Sequence, residues 1–364
     1  MQTKIIVVSA VNFTEGGGLT ILRETLSSLN RDLPATWNII ALVNDKRVVE
    51  QDNVKAIEFP LAKKSWILRL YYEWYYFNKL SKEIGVDLWL SLHDITPRVT
   101  SRRQVVYCHN PAPFYSLSLR EKWLDPRMCL FSWFYKLLYK ILIHRNRWVI
   151  VQQQWIREEF YKGVCQTPIV VAHPLTRMLE GKNTNNIGGQ KVFFYPTFPR
   201  VFKNLELVCE AAKLLSEKGI NDFEVRLTVS GIENRYSRWL YRKFSKVLQV
   251  RFIGVQNPAG MKKQYSECAA LVFPSKLETW GLPISEAKRY GCKIILADLQ
   301  YAHETVGDYR DVCFFDPTRP LQLADLMQSV ILENWCPTGS RQLELSQPFT
   351  KDWKGLIDLI IKDL

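Results

Sequence analysis

The sequence predicts an α/β protein made of two doubly wound parallel sheets. Three observations carry this. Short apolar strands alternate with helical segments, a polar glycine-closed stretch interrupts the alternation once, and 364 residues suit two cores of ordinary size. In the first half the strands are Ile5 to Ala10, Trp37 to Val43, Val54 to Phe59, Leu88 to Leu92, Val105 to Cys108 and Trp148 to Val151. Helices such as Thr20 to Leu29 and Trp66 to Lys82 lie between them. The second half repeats the theme with Val192 to Tyr195, Val225 to Ser230, Val250 to Ile253, Ala270 to Phe273, Lys293 to Ala297 and Val312 to Phe315. Its helices include Leu205 to Glu217 and Met261 to Cys268. The break is Asn183 to Gly189, with the boundary itself placed slightly earlier. The expected domains are 1–172 and 173–348, followed by residues 349–364 with the amphipathic helix Trp353 to Leu364.

Composition narrows the function. The hydrophobic fraction is 47%, and no low-complexity tract suggests disorder. No uncharged apolar run is long enough to span a bilayer, which takes about 18 residues. Lys4 to Val8 reads as a first strand rather than a signal peptide. Eight cysteines without a Cys-x-x-Cys pair read as reduced residues of a cytoplasmic protein. The net charge is +13, and residues 98–147 carry ten basic residues against two acidic ones. Such a local excess points to an anionic surface or substrate.

The most informative stretch is LVFPSKLETWGLPISEAKRYGC, where Glu278 and Glu286 have seven residues between them. A buried strand ends at Phe273, a loop follows, and Gly281-Leu282-Pro283 opens a helix. Proline near a helix start loses little, because its missing N–H has no intrahelical acceptor there. The first-turn amides carry the positive end of the helix dipole and can receive a phosphate. Glu286, about one turn along, is placed to accept bonds from ribose hydroxyls. Glu278, in the loop, is free to meet whatever the phosphate carries. Ribose, phosphates and sugar follow in that order in a nucleotide diphosphate-sugar.

This segment resembles the Glu-x7-Glu motif of retaining glycosyltransferases of the family 4 type (glycosyl transferases group 1). The order, the spacing, the Phe273-Pro274-Ser275 strand end and the closing Gly291 all agree. The resemblance implies the GT-B fold, two Rossmann-like domains facing a cleft, with the terminal helix crossing back to the first. It implies a retaining hexosyltransferase that uses a UDP- or GDP-linked sugar as co-substrate. Glu286 would hold the ribose, Glu278 the donor sugar, and Thr279, Gly281 and Leu282 the phosphate side. Gly254 is a further donor-side position.

Three other loops bear on this reading. Thr14-Glu15-Gly16-Gly17-Gly18 follows the first strand, and glycines there let a ligand approach the backbone closely. It is not the dinucleotide fingerprint. In the resembled family a Gly-Gly pair here faces the donor phosphates, which Gly17 and Gly18 match. Tyr195 to Asn204 leads into a helix, and the family places an Arg and a Lys in this loop on the diphosphate. Lys203 matches well, with Arg200 three positions earlier. A cation at a helix start is electrostatically unfavourable unless an anion is present. His109 lies just past the strand Val105 to Cys108, and ligands belong at the carboxyl ends of parallel strands. The resemblance puts a histidine there on the donor sugar or phosphate. His93-Asp94 ends the preceding strand and is the acceptor-side candidate.

No Asp-x-Asp occurs and the five histidines lack ligand spacing, so no metal is expected. Lys203, with Arg200 as a second candidate, and helix-end amides would neutralise the leaving diphosphate. The stretch Phe131 to His144 reads as a helix with Ser132, Lys136, Lys140, His144 and Arg147 on one face. Its other faces are aromatic and aliphatic, which suits either a packed helix or an interfacial one on anionic lipid. Trp66 to Leu80, similarly aromatic, is expected to pack internally. The expected activity is transfer to a glycan or polyprenyl-linked glycan at the cytosolic membrane face, in bacterial surface polysaccharide synthesis (O-antigen, capsule or lipopolysaccharide). Two alternatives stand beside it. One is a nucleotide-sugar epimerase of the same fold. The other is a non-catalytic anion or nucleic-acid binder, disfavoured because paired glutamates repel phosphate backbones.

Overall fold

A computed structural model describes residues 3–14, 16–174 and 190–364. The polar break at 183–189 therefore lies outside the described residues. The first strands are β1 (Lys4–Ala10), β2 (Trp37–Val43), β3 (Val54–Glu58), β4 (Val86–Ser91), β5 (Ser101–Cys108), β6 (Trp148–Val151) and β7 (Ile169–Ala172). The later ones are β8 (Lys191–Tyr195), β9 (Phe223–Leu227), β10 (Val250–Phe252), β11 (Ala270–Phe273), β12 (Lys293–Ala297), β13 (Val312–Phe315) and β14 (Phe349–Thr350). Helices up to β7 are α1 (Gly16–Asp32), α2 (Trp66–Tyr71), α3 (Phe77–Ile84), α4 (Leu119–Leu124), α5 (Pro126–Lys140) and α6 (Gln154–Gly163). After β8 come α7 (Leu205–Glu217), α8 (Arg235–Phe244), α9 (Pro258–Glu267), α10 (Leu282–Tyr290), α11 (Gln300–Val306), α12 (Pro320–Ile331) and α13 (Trp353–Ile361).

The chain forms two compact units. One runs to Phe114, resumes at Ser132 through β7, and takes in Leu345–Leu364. The other holds Tyr115–Phe131 and the described chain from residue 190 to Glu344. The first unit has an eight-stranded sheet in the order β14-β7-β6-β5-β4-β1-β2-β3, and the second a six-stranded sheet, β10-β9-β8-β11-β12-β13. Every strand pairing is parallel. These are two Rossmann-like α/β domains. Each inner strand is buried along nearly its whole length, which is why the sequence reads as apolar runs rather than alternation.

In the second unit, Tyr115–Phe131 is held by cations on aromatic faces. The Arg120 guanidinium lies 4.4 Å from the Trp239 ring, and Arg235 lies 3.7 Å from Trp123. Lys276 pairs with Glu121 at 3.2 Å. In the first unit, α13 opens on Asp352, whose side chain accepts from the Gly355 amide at 2.8 Å. Trp353, Leu356, Ile357 and Ile360 recur on one helical face and bury against Ile6, Val8, Leu22 and Leu26. Each such aliphatic side chain contributes roughly 1.5–3 kcal/mol.

Some expectations change. The helix at 131–144 begins at Pro126 and stops at Lys140, because Leu142 takes a left-handed backbone (φ 59°). His144 and Arg147 therefore leave the stripe, and Ser132 is buried, donating to the Ala112 carbonyl at 2.7 Å. The Trp66 to Leu80 helix is not wholly internal: Ile67 is 80% and Tyr75 67% exposed. It contains a π-helical turn, Tyr72–Tyr76, that joins α2 to α3. All eight cysteines are free thiols. No described helix is long and apolar enough to cross a membrane.

Candidate functional site

Strand order decides where each sheet can take a ligand. In the second sheet the chain proceeds outward from β8 through β9 to β10, then returns to the other side of β8 with β11. Successive crossovers leave to opposite sides there, opening a crevice at the carboxyl ends of β8 and β11. In the first sheet the same reversal falls between β1 and β4.

The residues picked out in the second half collect at its reversal. After β8 a 3₁₀ turn, Val201–Lys203, leads through Asn204 into α7. Asn204 is buried in a left-handed conformation (φ 56°), which a non-glycine residue adopts only when its surroundings hold it. Its amide donates to the carbonyls of Pro274 (3.3 Å) and Pro317 (2.9 Å), beyond β11 and β13. The Lys276 amide donates to the Phe202 carbonyl at 2.7 Å, and the Tyr195 hydroxyl to the Lys203 carbonyl at 2.8 Å. These bonds fasten the β8 and β11 loops together and bring Lys203 onto Glu278 as an ion pair. The two side chains are only 18% and 12% exposed. Lys203 also lies 5.9 Å from the Phe273 ring. Arg200 points elsewhere: it is 3.5 Å from Asp125 and 5.5 Å from the Phe198 ring.

Gly281 precedes α10 at φ 86°, a left-handed conformation that favours glycine, and a Cβ there would press on Ile284 at 3.1 Å. Leu282 and Pro283 then form the first turn, with Leu282 exposed and Thr279 half-buried behind it. Glu286 lies one turn along and accepts from the Tyr265 hydroxyl at 2.5 Å. Burial raises its carboxyl above the ordinary range, and the Tyr265 bond opposes that rise. Gly254, after β10, is held by a bond from the Gln256 amide to its carbonyl at 3.2 Å. Among the described residues, no hydrogen bond joins Gly254 to Lys203, Glu278 or Glu286.

The first unit's candidates flank its own reversal. Gly17 and Gly18 open α1 after β1. Nothing lies within 4 Å of a Cβ built on Gly17, whereas one on Gly18 would meet Phe13 at 2.7 Å. Gly18 therefore also serves packing. Phe13 in turn sits edge-on to His93 (6.4 Å) and His109 (5.5 Å). Asp94 takes a left-handed backbone (φ 71°), and its Oδ1 accepts from the His109 amide (2.7 Å), the Asn110 amide (3.1 Å) and the Tyr139 hydroxyl (3.0 Å). His109 Nδ1 stands 3.7 Å from the same oxygen.

His93 is fully buried, in a network that sequence reasoning missed. Arg69 Nη2 lies 3.2 Å from His93 Nδ1 and donates to the His93 carbonyl at 2.8 Å. Arginine only donates, so Nδ1 accepts and the proton belongs on Nε2. That nitrogen faces Ser9 Oγ at 3.0 Å and Glu73 Oε1 at 3.3 Å. Burial first, and then Arg69, hold His93 well below its ordinary range. Burial pushes Glu73 up to about 8, with Arg69 opposing. At neutral pH the His93–Glu73 contact is therefore between two uncharged groups. Arg69 and Glu73 were visible in the sequence only as polar breaks four residues apart in an aromatic helix. An open pocket of about 210 Å³ beside Arg69 is lined also by Asn12, Lys63, Ser65 and Trp66. Among the described residues no group of three or more His, Cys, Asp or Glu could hold a metal.

Comparisons with known proteins bear on the fold. Residues 179–344 match the model of the family described as glycosyl transferases group 1. No curated protein sequence matches the chain. Solved structures with the GT-B fold do. The lipopolysaccharide outer core galactosyltransferase WaaB, in its apo form, is 12% identical with a TM-score of 0.63, covering 99% of this chain and 96% of that one. The Anabaena protein HepE, solved with UDP and glucose, is 15% identical with a TM-score of 0.62, covering 91% and 90%. Sucrose-phosphate synthase from Thermosynechococcus elongatus is 12% identical with a TM-score of 0.62, covering 91% and 90%. The chain has the GT-B fold of these glycosyltransferases.

The Glu73 shift has a definite sign. Between its ordinary value of 4.5 and about 8 the folded protein holds a proton that the unfolded chain has released. Stability through this group therefore falls as pH rises across that window. Glu73→Gln, which mimics the protonated form, is expected to flatten the fall, read from urea midpoints across the window. An unchanged slope would mean that Glu73 is ionised against Arg69.

Proposed function

We propose that the protein transfers a sugar from a nucleotide diphosphate donor, UDP- or GDP-linked, to a glycan or lipid-linked glycan, with retention of configuration. The observation that carries this is the Lys203–Glu278 pair at the β8/β11 reversal, beside the first turn of α10. A partly buried lysine just before α7 opposes that helix's dipole, and a diphosphate would relieve the conflict. In the proposed cycle Lys203 leaves Glu278 for the diphosphate, and the α10 amides receive the second phosphate. Glu278 then turns to the sugar hydroxyls, while Glu286, held by Tyr265, accepts the ribose hydroxyls. The bond from the anomeric carbon to phosphate oxygen breaks and one to the acceptor oxygen forms. The acceptor proton passes to the departing diphosphate. Charge stabilisation by Lys203 and the helix amides serves in place of a metal. His109, beside Phe13 and above Asp94, is the proposed sugar or phosphate contact of the first unit.

HepE was solved with UDP and glucose, and WaaB is a lipopolysaccharide galactosyltransferase, which support a nucleotide-sugar donor and a surface-polysaccharide role. A membrane-bound acceptor fits one further surface. Trp66 packs edge-on to Phe134 and Tyr135, joining α2 to α5. Around that contact Ile67, Tyr71, Tyr75, Trp133, Leu137 and Ile141 are exposed, with the exposed Lys136 and Lys140 on α5. Rings and apolar side chains beside cations suit the headgroup region of an anionic bilayer.

Glu286→Ala should weaken binding of the free nucleoside diphosphate by about tenfold or more, with the circular dichroism unchanged. Unaltered affinity would remove Glu286 from the donor site. Nucleotide release from the preferred sugar donor should persist in EDTA and be lost in Lys203→Ala; loss in chelator, restored by manganese or magnesium, would refute metal independence. Sedimentation with anionic vesicles at low salt should fall severalfold when Trp133 and Leu137 become serine. Wild-type protein that stays in the supernatant would rule out this surface.

A further inference from the structure

The edge of the first sheet away from His93, Asp94 and His109 holds a second constellation, unconnected with donor chemistry. Here β5 and β6 begin, and their amino-terminal ends surround a pocket of about 290 Å³. Four arginines line it: Arg102 and Arg103 at the start of β5, and Arg145 and Arg147 just before β6. Gln104 and Asn146, both buried, line it as well.

Among the described residues, one of the four guanidinium groups has a side-chain carboxylate partner. Arg102 is 3.3 Å from Asp87. Arg103 donates to the carbonyls of Ile360 (2.8 Å) and Lys362 (2.5 Å), at the carboxyl end of α13. Arg145 donates to the Val99 carbonyl at 3.0 Å, and Arg147 lies 5.7 Å from the Trp148 ring. Burial lowers Arg103 from its ordinary value, Arg147 and Arg102 lower it further, and Asp363 opposes them. Arginine cannot relieve such crowding by losing its proton, whereas a bound anion would relieve it. Each guanidinium has five donors in a planar fork, most of them unused here, and that fork matches phosphate oxygens two at a time. The volume is about ten times a water's share of the liquid, room for a diphosphate or a phosphate ester with part of its shell. A nucleic-acid strand would need a basic track with stacking rings, whereas this charge is gathered in one place.

We infer that Arg102, Arg103, Arg145 and Arg147 form a binding site for a phosphate-bearing anion on the first unit, separate from the donor site. Two sources supply that chemistry, a soluble phosphate compound and a phospholipid headgroup. Titration calorimetry with inorganic pyrophosphate tests the site in the full chain carrying Lys203→Ala, which removes the donor-site cation. Adding Arg102→Ala with Arg147→Ala, neither of which holds a backbone carbonyl through its side chain, should weaken pyrophosphate by at least about tenfold. Lys136→Ala with Lys140→Ala, equal in charge lost but outside the pocket, should leave the affinity unchanged. Vesicles of three parts phosphatidylcholine to one part phosphatidylglycerol separate the sources. If the pocket variant also loses vesicle binding, the ligand is a headgroup; if it loses pyrophosphate alone, the ligand is soluble. No pyrophosphate binding in the parent, equal affinity in parent and pocket variant, or an equal loss in the helix control overturns the site.

Discussion

A parallel strand can be joined to its neighbour only by a crossover that carries the chain back to its starting edge. Both sheets are parallel throughout, so every carboxyl end in a sheet lies on one edge and every amino end on the other. Crossovers cover that carboxyl edge except where the chain changes direction, between β1 and β4 and between β8 and β11. The glycines after β1, the histidine and aspartate after β4, the lysine after β8 and the glutamate after β11 all follow from this constraint. Their separation in sequence, 75 residues in the case of Lys203 and Glu278, is the length of two crossovers and a return.

What fixes the loops at that edge is a set of hydrogen bonds to main-chain carbonyls. Asn204 reaches the carbonyls beyond β11 and β13, and Lys276 reaches back to Phe202. A 1 Å displacement of a catalytic group is costly, and loops alone position side chains loosely. Here the β8 and β11 loops behave as one piece, so the lysine and glutamate are in register before any ligand arrives. Their mutual pairing satisfies both charges at low exposure, which neither group would manage alone.

The strands were legible because burial on both faces leaves short, uninterrupted apolar runs. Of the two that sequence reading did not name, β14 has only two residues, too few for a pattern, whereas β7 is as short and as apolar as β6 but ends at the expected domain boundary, where a link was expected. The α10 segment was legible because glycine before the helix, proline in its first turn and Gly291 at its end each have a local cause. The partners of the site residues were not. Tyr265 beneath Glu286, Asp125 beside Arg200 and Phe13 between two histidines depend on tertiary approach, which no spacing encodes. Arg69 and Glu73 were hidden for a related reason. Four residues apart, they share a helical face by ordinary periodicity, but only the tertiary approach of His93 makes that face a buried one. The basic excess of residues 98–147 was likewise readable as a sum, yet it divides among the segment on the second unit, α5 and the arginine pocket.

The last helix gives the protein an unusual order of assembly during synthesis. The β1 side chains Ile6 and Val8 are among the earliest made, yet their cover includes Leu356, Ile357 and Ile360. Lys4 meets the Leu364 carbonyl at 2.6 Å. Every residue of the second unit, to Glu344, is synthesised before the last helix of the first. The unit that begins the chain therefore cannot complete its core until the residues of the other have been made. Until residue 360 is made, the nascent chain presents an open apolar surface along β1 and α1, for which chaperones compete with α13.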